Sequence, residues 1–309
     1  MGVESRRVLR LLGCMLLSAS ALGAQAASVG DDKASAIKGH NKVVIAEFGV
    51  EFYSQLHAEG RSGSANAQVT TQLDGVSETA FQAITDQAYA DTVAALTKAG
   101  FEVVDPAAMH ADAGYQKLEA KYGQASPQKY SDDQMFKGAP SVSWIYAPAG
   151  MKAFFSSAVP RGDLGQRIDV QNYGRGMKEQ ELAKALGATV LHVHYLSSFG
   201  VTSETKNNAL LAQFRGAKAE VATKPVLVAT DTEMQFVTES GPRTYTTSHR
   251  QRHSGAVYLK EALVAPTNIF TLTASKVAPS SEADFKSTYG DLIRDAATSM
   301  SDALAAARG

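Results

Sequence analysis

The chain predicts an α/β fold: a mixed sheet with helices packed on it, an antiparallel hairpin in the C-terminal half and a long C-terminal helix. Three observations carry this. Helix, glycine and apolar strand follow one another twice, in LTKAGFEVVD at 96–105 and ELAKALGATVLHVHYL at 181–196. Val43 to Ala46 is a continuous apolar run, the pattern of a strand covered on both faces. The last thirty or so residues carry an apolar stripe at helical spacing.

The elements follow in order. Residues 27–41 are small and polar and read as a flexible lead-in, after which a single α/β domain spans 42–309. It opens with the strand of KVVIAEFGVEFYSQL; residues 57–76, rich in Gly, Ser, Asn and Gln, read as a long surface loop or a weakly patterned extended strand. Ser77 caps a helix running to Lys98, with Phe81, Ile84, Ala88, Val93, Ala95 and Leu96 on one broad side and Gly100 as its stop. Phe101–Asp105 is a short buried strand, and Asp105-Pro106 opens a further helix to about Lys121. An irregular excursion occupies about 123–175. Its aromatic stretch holds Trp144, Tyr146, Phe154 and Phe155, broken by Pro148 and Gly150, and fits a lid, an irregular hairpin or an interface patch. Loop aromatics covering core is the plainer reading of the same stretch.

Lys178 to Gly187 is a short helix closed by glycine, feeding the strand of ATVLHVHYLSSFG. KPVLVATDTEMQFVTE and RTYTTSHRQRHSG flank Ser240-Gly241-Pro242 and read as a hairpin. NIFTLTAS is a further strand. Ser281 and Asp284 form a capping box before the final helix, with Phe285, Tyr289, Leu292, Ile293, Ala296, Met300 and Leu304 as its apolar stripe.

The first 26 residues have a basic start at Arg6, Arg7 and Arg10, an apolar stretch from Leu11, and a small-x-small site at Ala24-Gln25-Ala26. This is the pattern of a secretory signal peptide cleaved after Ala26, and it places the protein in the periplasm or outside the cell. Leu11-Leu12-Gly13-Cys14 offers an alternative, a lipoprotein anchored through Cys14, but Arg10 leaves almost no apolar stretch upstream of that cysteine. Cys14 is the one cysteine, so cleavage removes thiol chemistry altogether. The leader carries three Arg and one Glu, and its loss takes the formal charge from −1 to −3. A mildly acidic chain without a basic block is not built for nucleic acid.

LHVHYL at 191–196 is the best hint of chemistry. On a strand, His192 and His194 share one face, and together they supply two ligands of a metal site. Glu47, Asp231 or Glu204 would have to supply the others. The cupin pattern wants a Glu about four residues after the second His, where Leu196 to Gly200 stand instead. The plainer reading is a polar, half-wet strand face opposite an apolar one. His249 and His253 on a strand lie about 13 Å apart, too far for one metal. Arg243, Arg250 and Arg252 cluster on one hairpin arm and suit an acidic partner, a lipid headgroup or a charge-protected edge. The sequence has no Gly-x-Ser-x-Gly elbow, phosphate loop or dinucleotide fingerprint. No cofactor is implied, beyond a divalent metal at the histidine pair.

AEF at the end of the first strand, LTKAGFEVVD, ELAKALGATVLHVHYL and TDTEMQFVTESGPRTYTT together resemble two related families. One is the periplasmic α/β module of the curli-secretion lipoprotein (CsgG-like) family; the other is the amino-terminal domain of the translocation protein TolB. The resemblance covers 43–105 and 178–260 and implies fold and compartment. It transfers no functional residue. The curli family's lipidated mature-start cysteine has only Cys14 as counterpart, and its membrane strands have only 141–158. The expectation is an exported envelope protein acting as a non-catalytic binding or assembly module, its partner an envelope protein or a second copy. The alternatives are a metal-binding protein or metal-dependent enzyme using His192 and His194, and a periplasmic small-ligand carrier with the 142–155 stretch over a pocket.

Overall fold

A computed structural model of the chain describes residues 27–62, 65–132, 141–153, 174–204, 206–207, 217–241 and 255–309. In chain order the elements begin with β1 (Val29–Asp32), β2 (Lys42–Ser62), β3 (Ala65–Leu73), α1 (Glu78–Lys98) and β4 (Glu102–Val103). Then come α2 (Pro106–Ala111), α3 (Ala113–Tyr122), β5 (Gln128–Asp132), β6 (Ser141–Tyr146), α4 (Arg175–Leu186) and β7 (Thr189–Glu204). The chain closes with β8 (Lys206–Asn207), β9 (Ala219–Leu227), β10 (Glu233–Val237), β11 (Ala256–Leu259), β12 (Leu263–Val264), β13 (Phe270–Thr273), β14 (Lys276–Pro279) and α5 (Glu282–Arg308).

Two long parallel strands, β2 and β7, form the spine of the mixed sheet. Each takes successive partners along its outer edge. β2 pairs in turn with β4, β6 and β3, and β7 with β10 and then β9. The main path runs β1-β11-β10-β7-β2-β3-β14-β13. The apolar runs fit this placement, because central strands of a parallel pair are covered on both faces. Val43, Ile45, Phe48, Val50 and Phe52 of β2 pack with α1 and α5; Val44 and Ala46 pack with α2, α3 and α4. The result is a layer of helices on each face.

The helices end where local chemistry ends them. Ser77 accepts from the Ala80 N–H at the start of α1, and Gly100 takes φ of 88° just beyond its end. Ser281 Oγ accepts from the Asp284 N–H at the start of α5 and donates to the Asp284 carboxylate, and the whole apolar stripe of that helix is buried. Among the described residues no helix is long and apolar enough to cross a membrane.

Several boundaries differ from expectation. Residues 29–32 are β1, paired with β11, and Ala34 and Ile37 of a following 3-10 turn are buried, so the lead-in is tied down by packing. Within the polar stretch 57–76, residues 57–62 are the far end of β2 and 65–73 are its antiparallel partner β3. Gly60 makes that possible: a Cβ there would stand 2.0 Å from the Lys218 carbonyl oxygen. The helix from Pro106 breaks at Asp112, whose carboxylate accepts from the Gly114 and Tyr115 N–H groups and starts α3. KPVLVATDTEMQFVTE is two strands, β9 and β10, separated by a 3-10 turn at 229–231. β10 pairs antiparallel with β11, at 256–259, on one side and with β7 on the other, while the expected second hairpin arm falls mostly in 242–254, outside the described residues.

Candidate functional site

The sequence-predicted histidines meet a set of charged groups that two local features deliver to one place. The first is a bulge. Ile45 pairs with Leu191 and Glu47 with His192, so β2 carries one extra residue between them. Regular alternation would send Glu47 to the α1/α5 face with Val43 and Ile45. The extra residue sends it, and Glu51 after it, to the face of Val44 and Ala46, where β7 presents His192 and His194. On the other side of β7, β10 sets Gln235 opposite His192 and Glu233 opposite His194.

The second feature is α4. Arg175 and Glu179 stand four apart on this helix, one turn on the same side, and both are fully buried. Arg175 Nε donates to Glu179 Oε1 at 2.5 Å, and its Nη2 donates to Glu47 Oε2. His192 Nε2 lies 3.1 Å from Glu179 Oε1 and its Nδ1 3.8 Å from Glu47 Oε2. His194 Nε2 lies 3.2 Å from Glu51 Oε2, and Ser143 Oγ of β6 donates to Glu51 Oε1. The network thus fastens α4 to β2 and β7, and β7 to β2 and β6.

Electrostatics follow from burial and partners. Burial alone would raise the Glu179 pKa, but Arg175 and then His192 reverse this and hold it down at about 2. Burial alone would lower the His194 pKa. The Glu51 hydrogen bond and charge, helped by Asp231 and Glu233, instead hold it above the ordinary histidine value. Burial works against a cationic Arg175, yet Glu179 and Glu47 keep its pKa above normal. Burial raises the Tyr115 phenol of α3, and Glu119 and Glu47 add to that.

The histidine pair is therefore not a half-wet strand face. His192 is 5% exposed, and a layer of helices lies over the surface expected to meet water. Ser143, Glu51 and His194 line up, but in an order unlike the Ser-His-Asp triad: the carboxylate, not the imidazole, meets the hydroxyl. Of the carboxylates named as companions to the histidines, Glu47 is placed beside His192, and Asp231 acts on His194 through charge. Glu204 lies far along β7. Among the described residues no group of three or more His, Cys, Asp or Glu side chains is arranged to hold a metal ion.

Tyr146 is core, not surface. It is 4% exposed and its ring centroid lies 5.5 Å from that of Phe81 under α1. Trp144 is half-buried, with Lys129 Nζ over its ring at 5.8 Å. The stretch 141–146 is β6, paired with β2 and β5 inside the sheet. Cys14, Phe154, Phe155, Arg243, Arg250 and Arg252 lie outside the described residues. Sequence reading missed Arg175, Glu179, Glu51 and Glu233. The i,i+4 spacing of Arg175 and Glu179, and two glutamates inside the apolar strand AEFGVEF, were the signals that could have found the first three.

Comparison of the chain with family models, with curated proteins and with solved structures finds no match.

Proposed function

We propose that this chain is an exported cell-envelope protein that acts as a non-catalytic binding or assembly module. The observation that carries the reading is the fate of its best chemical candidates. His192 and His194 are drawn into buried contacts with the Glu179 and Glu51 carboxylates, within the network that holds sheet and helix together. The leader pattern of residues 1–26 and the local resemblance of 43–105 and 178–260 to envelope α/β modules support the compartment. The test combines mass determination of the exported chain with gel filtration and crosslinked pull-down from envelope extracts. A mature start at Ala27 and a defined oligomer or envelope complex are expected. A chain that stays in the cytoplasm, or a strict monomer without envelope partner, overturns the reading.

A second reading, metal binding, has one specific observation in its favour. Among the described residues, Glu179 Oε2 and Gln235 Oε1 are buried acceptors with no hydrogen-bond donor, and both belong to the ring of groups around His192. A cation would satisfy them. Metal analysis of the purified chain at neutral pH, with His192→Ala/His194→Ala as control, decides it. Stoichiometric metal lost in the variant supports this reading, and a metal-free wild-type protein removes it.

A further inference from the structure

Ala27, the residue after the small-x-small site, is held in place. It is half-buried and packs against the main core, as does Val29. Its backbone nitrogen donates to Ser299 Oγ of α5 at 3.1 Å. The Ser28 carbonyl accepts from the Lys260 N–H at 2.8 Å, and β1 then runs antiparallel to β11. Packing thus fixes the residue that cleavage after Ala26 would leave first.

The side of α5 that receives it carries carboxylates. Asp295 stands four residues before Ser299 and Asp302 three after, so all three share one side of the helix. Burial, and then the charge of Asp291, raise the Asp295 pKa against the pull of Arg294. Arg294 is itself engaged with Asp91 and Asp291. Asp295 is therefore a carboxylate that a further cation beside it would stabilise. Beyond β11, Lys260 and Glu261 are both exposed and offset each other in charge.

In the uncut chain Ala27 brings one neutral N–H to this place. Hydrolysis of the Ala26–Ala27 bond leaves a carboxylate on Ala26 and an α-ammonium, with three donors, on Ala27. One donor keeps Ser299 as its acceptor, and a positive charge arrives on the acidic side of α5. We propose that the cut end of the mature chain is a docked structural cation, the Ala27 ammonium seated on Ser299 between Asp295 and Asp302. Maturation then adds a charged contact between the start of β1 and α5 that the precursor lacks, and it withdraws the new amine from reaction. This inference rests on the reading that the leader is removed after Ala26.

The experiment uses the exported protein as purified. Intact mass gives its first residue. An amine-acylating reagent is applied at pH 7, where an ordinary α-amine reacts ahead of lysine, and the N-terminal peptide is followed by mass spectrometry. The reference is the same protein unfolded in urea. Carboxylates that raise the amine's pKa by about one unit cut its free-base fraction about tenfold, so the folded protein should label about tenfold more slowly than the unfolded one. Asp295→Asn/Asp302→Asn should bring the rate back toward the unfolded value, with the urea midpoint confirming that the variant is folded. Inserting one Gly between Ala26 and Ala27 moves the amine off Ser299 and should do the same. A first residue other than Ala27 overturns the cleavage reading and the dock together. Free labelling of an Ala27 amine in the folded protein overturns the dock alone. So does slow labelling that persists in the double variant, since that is burial without charge pairing.

Discussion

Replacing Arg175 with methionine probes the centre of the buried network. The side chain is 1% exposed and is shared by Glu47 and Glu179, at 4% and 0% exposure. Methionine keeps much of the volume and removes the charge, leaving two buried carboxylates without their cation. Removing one partner of a buried ion pair costs about 3–5 kcal/mol, because the remaining charge has been taken out of water and is no longer compensated. The assay is urea unfolding followed by circular dichroism. With a slope of about 3 kcal/mol per M for a chain of this size, the midpoint should fall by about 1–2 M with the slope unchanged. Adding Glu47→Gln and Glu179→Gln should recover part of that loss, since neutral amides are cheaper to bury than orphaned carboxylates. A midpoint shift below about 0.3 M, or losses that simply add across the three substitutions, would refute the claim that these groups act as one buried unit.

Further outcomes follow from the same structure. Stability should peak at mildly acidic pH. The raised pKa of His194 adds stability that is full below its ordinary 6.5 and is lost as pH climbs through the raised value. The lowered pKa of Glu179 adds stability that is full above its ordinary 4.5 and is lost as pH falls toward about 2. Urea midpoints measured from pH 3 to 9 should show both limbs, and His194→Gln should flatten the alkaline one. Ser281→Ala removes the acceptor for the Asp284 N–H at 3.0 Å and should cost about 1 kcal/mol, read as a Tm drop of about 2–4 °C. Gly60→Ala and Gly290→Ala should differ in sign. The first drives a Cβ against the Lys218 backbone and should lose about 1–3 kcal/mol. The second meets nothing within 4 Å on α5 and should gain about 0.5–1 kcal/mol.

Where local chemistry decides, the sequence was legible. Ser77 with Gly100, and Ser281 with its stripe to Leu304, bound α1 and α5 as read, because caps and helical periodicity act within a few residues. The α/β class followed from the repeated helix-glycine-strand unit. The break at Asp112 was a local signal too, a side chain competent to cap α3 and therefore to interrupt the helix before it. Two stretches misled for a physical reason. Residues 29–32 and 65–73 are polar enough for loops, and they are strands because β11 and the far half of β2 supply their hydrogen-bond partners. A strand of that kind exists only in its sheet.

The candidate site divides in the same way. Sequence alone determined that His192 and His194 share a strand face, since alternation is intrinsic to extended backbone. Only the tertiary structure decided what that face meets. One extra residue in β2 turned Glu47 and Glu51 toward the histidines, and the docking of α4 brought Arg175 and Glu179 from a distant part of the chain. A bulge is a property of two strands in register and an ion network a property of packed layers. Neither leaves a mark in a single sequence beyond the identities of the residues it joins.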